Sequence, residues 1–259
     1  MAKKILFILF LTVFAAVGCS NNGPNGDLYD SIVKKDKIVV GVSFDSKPFS
    51  YKDFDGQIKG LEADLAREIA KRLLGDPKKI SFKNIAPFER VKAAKDGEVD
   101  MVISTMTITP ERKKFVDFSN PYFIAGQAIA VKKDSRIDSH FDLNNKKVVV
   151  VLGTTGEKNI KRFAPNALIE AYVNNSEAIN AFKSGSVDAL TTDDALLQGF
   201  IMDYPNYVLL PERLTKEPYG IAFRKSRLSK TFKENLNEAL NDMKYDGTIN
   251  SIKDKWGIS

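Results

Sequence analysis

From residue 37 onward the chain alternates between strand-like and helix-like spacing of its apolar positions. Lys37-Ile-Val-Val-Gly-Val42 is a β-branched run that suits a buried strand. Leu61, Leu65, Ile69 and Leu73 recur at helical spacing, with Glu62, Asp64, Arg67, Glu68, Lys71 and Arg72 on the other faces and Gly75-Asp-Pro77 as the stop. Ile80–Asn84 predicts a strand, Arg90–Lys95 a short helix, and Met101–Ser104 a third strand. The alternation resumes with a strand at Val148–Leu152, a helix from Thr155, a strand at Leu168–Tyr172, a helix at Ser176–Lys183, a strand at Ala189–Thr192 and a helix from Asp193. Ser229–Tyr245 and Thr248–Trp256 predict two closing helices broken at Gly247. Strands alternating with helices predict an α/β protein with parallel sheets.

Two stretches of that pattern repeat. Glu89–Thr105 (ERVKAAKDGEVDMVIST) and Glu177–Asp193 (EAINAFKSGSVDALTTD) match at a constant offset, sharing Glu89/Glu177, Ala93/Ala181, Lys95/Lys183, Gly97/Gly185, Val99/Val187 and Asp100/Asp188. Each copy reads as helix, glycine turn, strand, and each falls in its own strand–helix series. Two similar lobes follow. Thr105 and Asp193 then occupy matching places at the carboxyl ends of strands, where open α/β sheets bind ligands.

Composition narrows the chemistry. In 259 residues, apolar types make up 43% and charged types 28%, with Lys+Arg 39 against Asp+Glu 33. The mild basic excess is spread along the chain, without the concentrated aromatic-flanked stripe of a nucleic-acid binder. One Cys and one His exclude a disulfide framework and a Cys/His zinc cluster. No metal and no cofactor is expected. The single histidine, His140 in Asp138-Ser-His-Phe-Asp142, reads as a loop-to-helix residue, and no phosphate-binding glycine loop is present.

Residues 1–18 carry a basic start, an apolar stretch from Ile5 to Val17 interrupted by Thr12, and small residues Ala15, Ala16 and Gly18 leading into Cys19. The order resembles a bacterial lipoprotein signal, cut before Cys19 and lipidated on its thiol. Residues 19–27, polar and rich in turn formers, read as a flexible tether. The expected location is therefore the cell envelope, in the periplasm or on the outer membrane face, held by lipid at Cys19 without a spanning helix.

Thr105-Met-Thr-Ile-Thr-Pro-Glu-Arg-Lys-Lys114, Val116-Asp-Phe-Ser119 and Pro121-Tyr-Phe123 form one continuous signature. With Gly60-Leu-Glu-Ala-Asp64, Val150-Val-Leu-Gly-Thr-Thr155, Asp193-Asp194 and Tyr219-Gly-Ile-Ala-Phe223, it resembles the extracytoplasmic amino-acid-binding proteins of ABC importers over about residues 32–257. The strings around Thr155 and Asp193 are most similar to the glutamate/aspartate branch. The resemblance implies a type II periplasmic-binding-protein-like fold of two α/β lobes joined by a two-segment hinge. One lobe would comprise 28–128 with 221–259 and the other 129–220, the chain crossing near Gln127–Val131 and returning near Glu217–Ala222. It also implies a monomer, with a free L-amino acid and the permease subunits of an ABC importer as partners.

A zwitterion needs a fixed cation and a fixed anion. Arg112 is the candidate cation, since a guanidinium holds a carboxylate through two parallel hydrogen bonds. Asp193 is the candidate for the ammonium, with Asp194 as the competing helix cap. Thr105, Thr107 and Thr155 offer hydroxyls and backbone N–H groups near strand ends, Thr154 or Thr155 being also a helix cap. Arg90 matches the Arg that faces a side-chain carboxylate in the glutamate/aspartate branch. Pointing into the cleft, it would add a surplus positive charge, so a ligand with a second carboxylate is expected. Ser43 and Ser46 lie in the loop after the first strand, which lines the ligand in this family. Ser43 stands where acidic-ligand relatives can carry a basic residue, which leaves glutamate, aspartate and glutamine open. Asn175 aligns near a polar ligand contact, and Phe44 is either wall or core. The reading is of a binding protein and not an enzyme. The competing reading is a cyclohexadienyl-dehydratase-like enzyme using Glu157 or Glu177 as acid, or a surface adhesin on the same fold.

Overall fold

The structure, a computed structural model, describes residues 26–258, so the signal-like segment 1–18, Cys19 and nearly all of the tether lie outside the described residues. Two five-stranded sheets organise the rest. In the first, Ile80–Asn84, Ile38–Val42 and Met101–Val102 run parallel, and Ala222–Arg224 inserts antiparallel between Met101–Val102 and Val116–Phe118. In the second, Leu168–Tyr172, Lys147–Val151 and Ala189–Asp193 run parallel, and Gln127–Lys132 inserts antiparallel between Ala189–Asp193 and Tyr207–Leu209. The strand order is the same in both, which realises the two α/β lobes expected from the repeat.

The repeat is also visible atom by atom. Gly97 and Gly185 both adopt left-handed backbone, at φ 71° and 77°, where a side chain would be strained. Just beyond, Asp100 accepts the Val39 N–H through Oδ2 at 2.7 Å, and Asp188 accepts the Lys147 N–H at 2.8 Å. In each lobe, then, the same aspartate ties the end of the unit to the first of its parallel strands in chain order, Ile38–Val42 or Lys147–Val151.

Both faces of each sheet are packed. Ile38, Val40, Leu65, Ile69, Phe223 and Phe232 belong to the cluster on one face of the first sheet, and Ala93, Val102, Val116 and Phe118 to that on the other. Val149, Phe182 and Phe200 contribute to one face of the second, and Val148, Val150, Ile160 and Leu210 to its reverse. The helix Leu61–Leu74 ends at Gly75 as its spacing predicts, with Lys230–Tyr245 and Thr248–Lys255 packed beside it. Among the described residues no helix is long and apolar enough to cross a membrane.

Gln127–Val131, expected to carry the chain between lobes, lies instead within the second sheet, hydrogen-bonded to strands on both sides. Phe123–Ala125 pairs antiparallel with Glu217–Tyr219 as a two-stranded ribbon belonging to neither large sheet. The run from Phe123 to Val131, apolar except for Gly126-Gln127, hides that division, because a buried strand and a buried ribbon look alike in sequence.

Candidate functional site

The sheets bring the ends of Met101–Val102 and Ala189–Asp193 toward each other, as the repeat predicts. From the second strand Asp193 enters the interface between the lobes. It is 9% exposed and accepts a short hydrogen bond from the Tyr219 hydroxyl. Burial pushes its carboxyl up to about 7, Glu217 and Asp194 adding repulsion against the Tyr219 bond. Asp194 is occupied elsewhere: Oδ1 accepts the Gly126 N–H and Oδ2 the Arg213 Nε–H. Of the two adjacent acids, Asp193 is the one presented to the cleft.

Arg112 stands in the short helix Pro110–Lys113, whose start is capped by the Thr109 hydroxyl. Its guanidinium donates to the Thr107 carbonyl at 2.7 Å and, across the interface, to the Gly153 carbonyl at 3.1 Å. Burial and the neighbouring Arg90 lower its pKa to about 10. The Asp193 charge acts on Arg112, yet no ion pair joins the two among the described residues.

The threonines divide by role. The Thr107 and Thr155 hydroxyls lie 3.4 Å apart, one from each lobe. Thr154 is the cap of the helix Thr155–Phe163, accepting the Glu157 N–H, so Thr155 is left for the cleft. Thr105 differs from expectation. Its backbone N–H, a candidate anion donor, is taken by Glu62 Oε1 at 2.5 Å. Its φ of 37° is unusual for a β-branched residue, and such strain concentrates at functional sites.

Arg90 is only 3% exposed and lies in the interior with these groups. One terminal N–H donates to Ser43 Oγ at 3.0 Å, and Ser43 in turn contacts Ser104 Oγ at 3.0 Å. Arg90 Nε is buried with no hydrogen-bond partner among the described residues. Buried donors are rarely left unpaired, so this one marks a place for an acceptor that the protein does not supply.

Ser46 and Asn175 meet each other across the lobes: Asn175 Nδ2 donates to Ser46 Oγ at 2.8 Å. Asp45 accepts the Ser176 N–H at 2.9 Å, and Lys47 pairs with Asp203 at 2.8 Å. The loop after the first strand thus clasps the second lobe. Phe44 packs against the main core. Glu157 is used on its own helix, accepting the Gly153 N–H, and Glu177 is exposed beside Asn174. His140 is held by Glu212 through its backbone N–H and, at 2.7 Å, through Nδ1.

Sequence reasoning missed Glu62, Tyr122, Tyr219 and Glu217. Glu62 was assigned to a polar helix face but is 0% exposed. The signal was available: Ala66 and Ile69 follow it at helical spacing and are both buried. Glu217 lies in the ribbon, 3% exposed, with Asn159 Nδ2 donating to Oε1 at 3.2 Å and Oε2 unpartnered.

Two lobes of equal strand order, a two-stranded ribbon between them, and opposite charges at their interface define a type II two-lobed binding protein. The chain belongs to the bacterial extracellular solute-binding proteins, family 3, whose model matches residues 38–259. It is 42% identical over 267 residues to the ABC transporter glutamine-binding protein GlnH of Bacillus subtilis (strain 168), covering 98% of this chain and 97% of that one. Among solved structures it is similar to an ancestral arginine-binding protein bound to glutamine, with a TM-score of 0.79 and 43% identity, covering 85% of this chain and 97% of the other. It is also similar to the ancestral amino acid-binding protein AncCDT-1, a precursor of cyclohexadienyl dehydratase, with a TM-score of 0.82 and 42% identity, covering 88% and 98%.

Proposed function

We propose that the protein captures a free amino acid between its lobes and hands it to an ABC importer, and that the amino acid is glutamine. The observation that carries the reading is the placement of a half-buried Arg112 and a buried Asp193 at one interface with no ion pair between them among the described residues. Each lacks a full partner that an amino acid's carboxylate and ammonium would provide. Arg112 takes the carboxylate, helped by Thr107 and Thr155, and Asp193 takes the ammonium.

The expectation of an acidic ligand is replaced. It rested on Arg90 as a surplus cation, and Glu62 is a buried acid close enough to act on Arg90. A side chain that is polar but neutral suits that balance, and a carbonyl oxygen can meet the unpartnered Arg90 Nε. The likeness to a glutamine-binding protein supports the same choice. Glu157 and Glu177, the acids a dehydratase reading needs, are both turned to other partners.

On this reading the lobes are joined by Phe123–Ala125 and Glu217–Tyr219, and closure is a hinge motion of that ribbon. Cys19 carries the lipid that holds a monomeric protein at the membrane surface, where the closed form meets the permease. Calorimetric titration of the twenty amino acids into ligand-stripped protein tests the proposal. Glutamine binding at micromolar or tighter dissociation constant, about 8 kcal/mol net, is expected. Preferential binding of glutamate or aspartate, or of none, overturns it.

A further inference from the structure

We infer that Glu62, which is placed behind the ligand groups, is the specificity-determining residue that makes the site reject dicarboxylic amino acids. The inference rests on the glutamine reading and deepens it.

Glu62 is the second residue of the helix Leu61–Leu74, and its backbone N–H donates to the Phe49 carbonyl at 2.8 Å, which fixes the residue in the interior. Three donors converge on its carboxyl. Oε1 accepts the Thr105 N–H at 2.5 Å and the Tyr122 hydroxyl at 2.5 Å, and Oε2 accepts the Ser50 hydroxyl at 3.2 Å. Hydrogen bonds donated to a carboxylate favour its ionised form. Burial raises the Glu62 pKa, and these donors, with Arg90, offset part of that rise.

The geometry links Glu62 to the ligand groups on two sides. Thr105, its donor, follows Ser104, which contacts Ser43 and through it Arg90. Tyr122, its other donor, lies 6.2 Å centroid to centroid from Tyr219, which donates to Asp193. Glu62 is therefore connected to Arg90 through Thr105, Ser104 and Ser43, and to Asp193 through Tyr122 and Tyr219.

Charge accounting then discriminates between ligands. A zwitterion's carboxylate and ammonium are met by Arg112 and Asp193. Arg90 remains, and Glu62 offsets it. A second ligand carboxylate would be buried with no cation left to it, a costly arrangement. Glu217 in the ribbon adds another acid to the same interface and acts in the same direction. Were Glu62 uncharged, Arg90 would again be in surplus and would favour glutamate.

Glu62→Gln isolates the charge. Its Oε1 can still accept from Thr105 and Tyr122, and its Nε2 can donate to Ser50 Oγ. Wild type and Glu62→Gln are each titrated calorimetrically with glutamine and with glutamate, with melting curves to establish folding. The expected result is a shift of the glutamate-to-glutamine affinity ratio toward glutamate by about tenfold or more. A folded variant with an unchanged ratio, as a protonated Glu62 would give, overturns the inference while the glutamine reading stands. Wild type that binds no glutamine overturns the reading itself. Arg90→Gln is the second arm, needed if Glu62→Gln does not fold. It leaves Glu62 without its cation, so binding of arginine relative to glutamine should rise by about tenfold. No rise in that arm overturns the inference.

Discussion

Arg90 in the first lobe and Ala178 in the second occupy the same step of one repeated helix–turn–strand unit, and both are buried, at 3% and 1% exposure. Fifteen residues on, the repeat pairs Thr105 with Asp193. The scaffold positions are alike, down to the aspartates that tie each unit to its first strand. What they present is not. The first lobe carries a buried network of Arg90, Ser43, Ser104, Thr105, Glu62 and Tyr122. The second brings one carboxylate, Asp193, and backbone groups such as the Gly153 carbonyl. On the proposed reading, one lobe sets which ligand is chosen and the other completes the site on closing.

The strongest way to break that division is to remove the charge each lobe contributes to the ligand's backbone. Arg112→Ala and Asp193→Ala should each weaken glutamine binding by about 2–5 kcal/mol, since one member of a desolvated pair is left unpaired. Calorimetry reads the loss. Asp193→Ala should leave selectivity among the remaining weak binders unchanged. If it instead altered selectivity as much as affinity, the second lobe would share the choice of ligand and the comparison would fail.

Next in size is a change that touches closure alone. Gly153 has φ 76°, and a Cβ there would lie 2.4 Å from the Phe88 Cα of the first lobe. Its carbonyl also receives the Arg112 guanidinium. Gly153→Ala should retain both folded lobes by melting yet lose about 1–3 kcal/mol of glutamine affinity through overpacking. Small-angle scattering with saturating ligand should show a more open molecule than wild type. A normal closed form would mean that Phe88 moves aside easily.

The pH dependence separates the lobes through Asp193. Its pKa is raised to about 7 in the empty protein, while the ligand's ammonium needs it ionised. Affinity should be constant above pH 7 and fall about tenfold per unit below it, with proton release on binding. Measuring heats in buffers of different ionisation enthalpy checks the release. The stability of the empty protein runs the other way. The folded state holds a proton that the unfolded state loses near 3.8, so this contribution is present below that pH and is lost as pH rises to about 7. Asp193→Asn should flatten both slopes.

How much of this was legible in the sequence follows from the kind of signal. The lobes could be read because Gly97 and Gly185, with their aspartates, answer local backbone demands that leave the same residues behind in each copy. Arg112 and Asp193 could be read because a zwitterion demands both signs. Glu62 was open to two readings, because helical spacing groups it with Ala66 and Ile69 as readily as with the solvent-facing acids. Its partners come from Ser50, Thr105 and Tyr122, distant in the chain, and only tertiary packing gathers them. If the ligand is glutamine, as proposed, the same gap is what turned the charge count of the cleft toward glutamate. Ser46 and Asn175 were both singled out as ligand contacts, but their meeting across the interface depends on how the closed lobes register, which no local pattern encodes.

That meeting gives the smallest and most discriminating test of the comparison. The Asn175 amide donates to Ser46 Oγ between buried partners, beside the Asp45 bond to the Ser176 N–H. Neither bond exists once the lobes part, so they bias the open–closed equilibrium without contributing charge to the ligand. Asn175→Ala should weaken glutamine binding by about 1 kcal/mol, the worth of a typical hydrogen bond, chiefly by faster release. Every amino acid that binds should lose the same factor, because a clasp stabilises the closed form and not a particular side chain. Stopped-flow release rates for glutamine and one weaker ligand decide it. A loss confined to glutamine would make Asn175 a ligand contact after all, and would give the second lobe a share in recognition that the present division denies it.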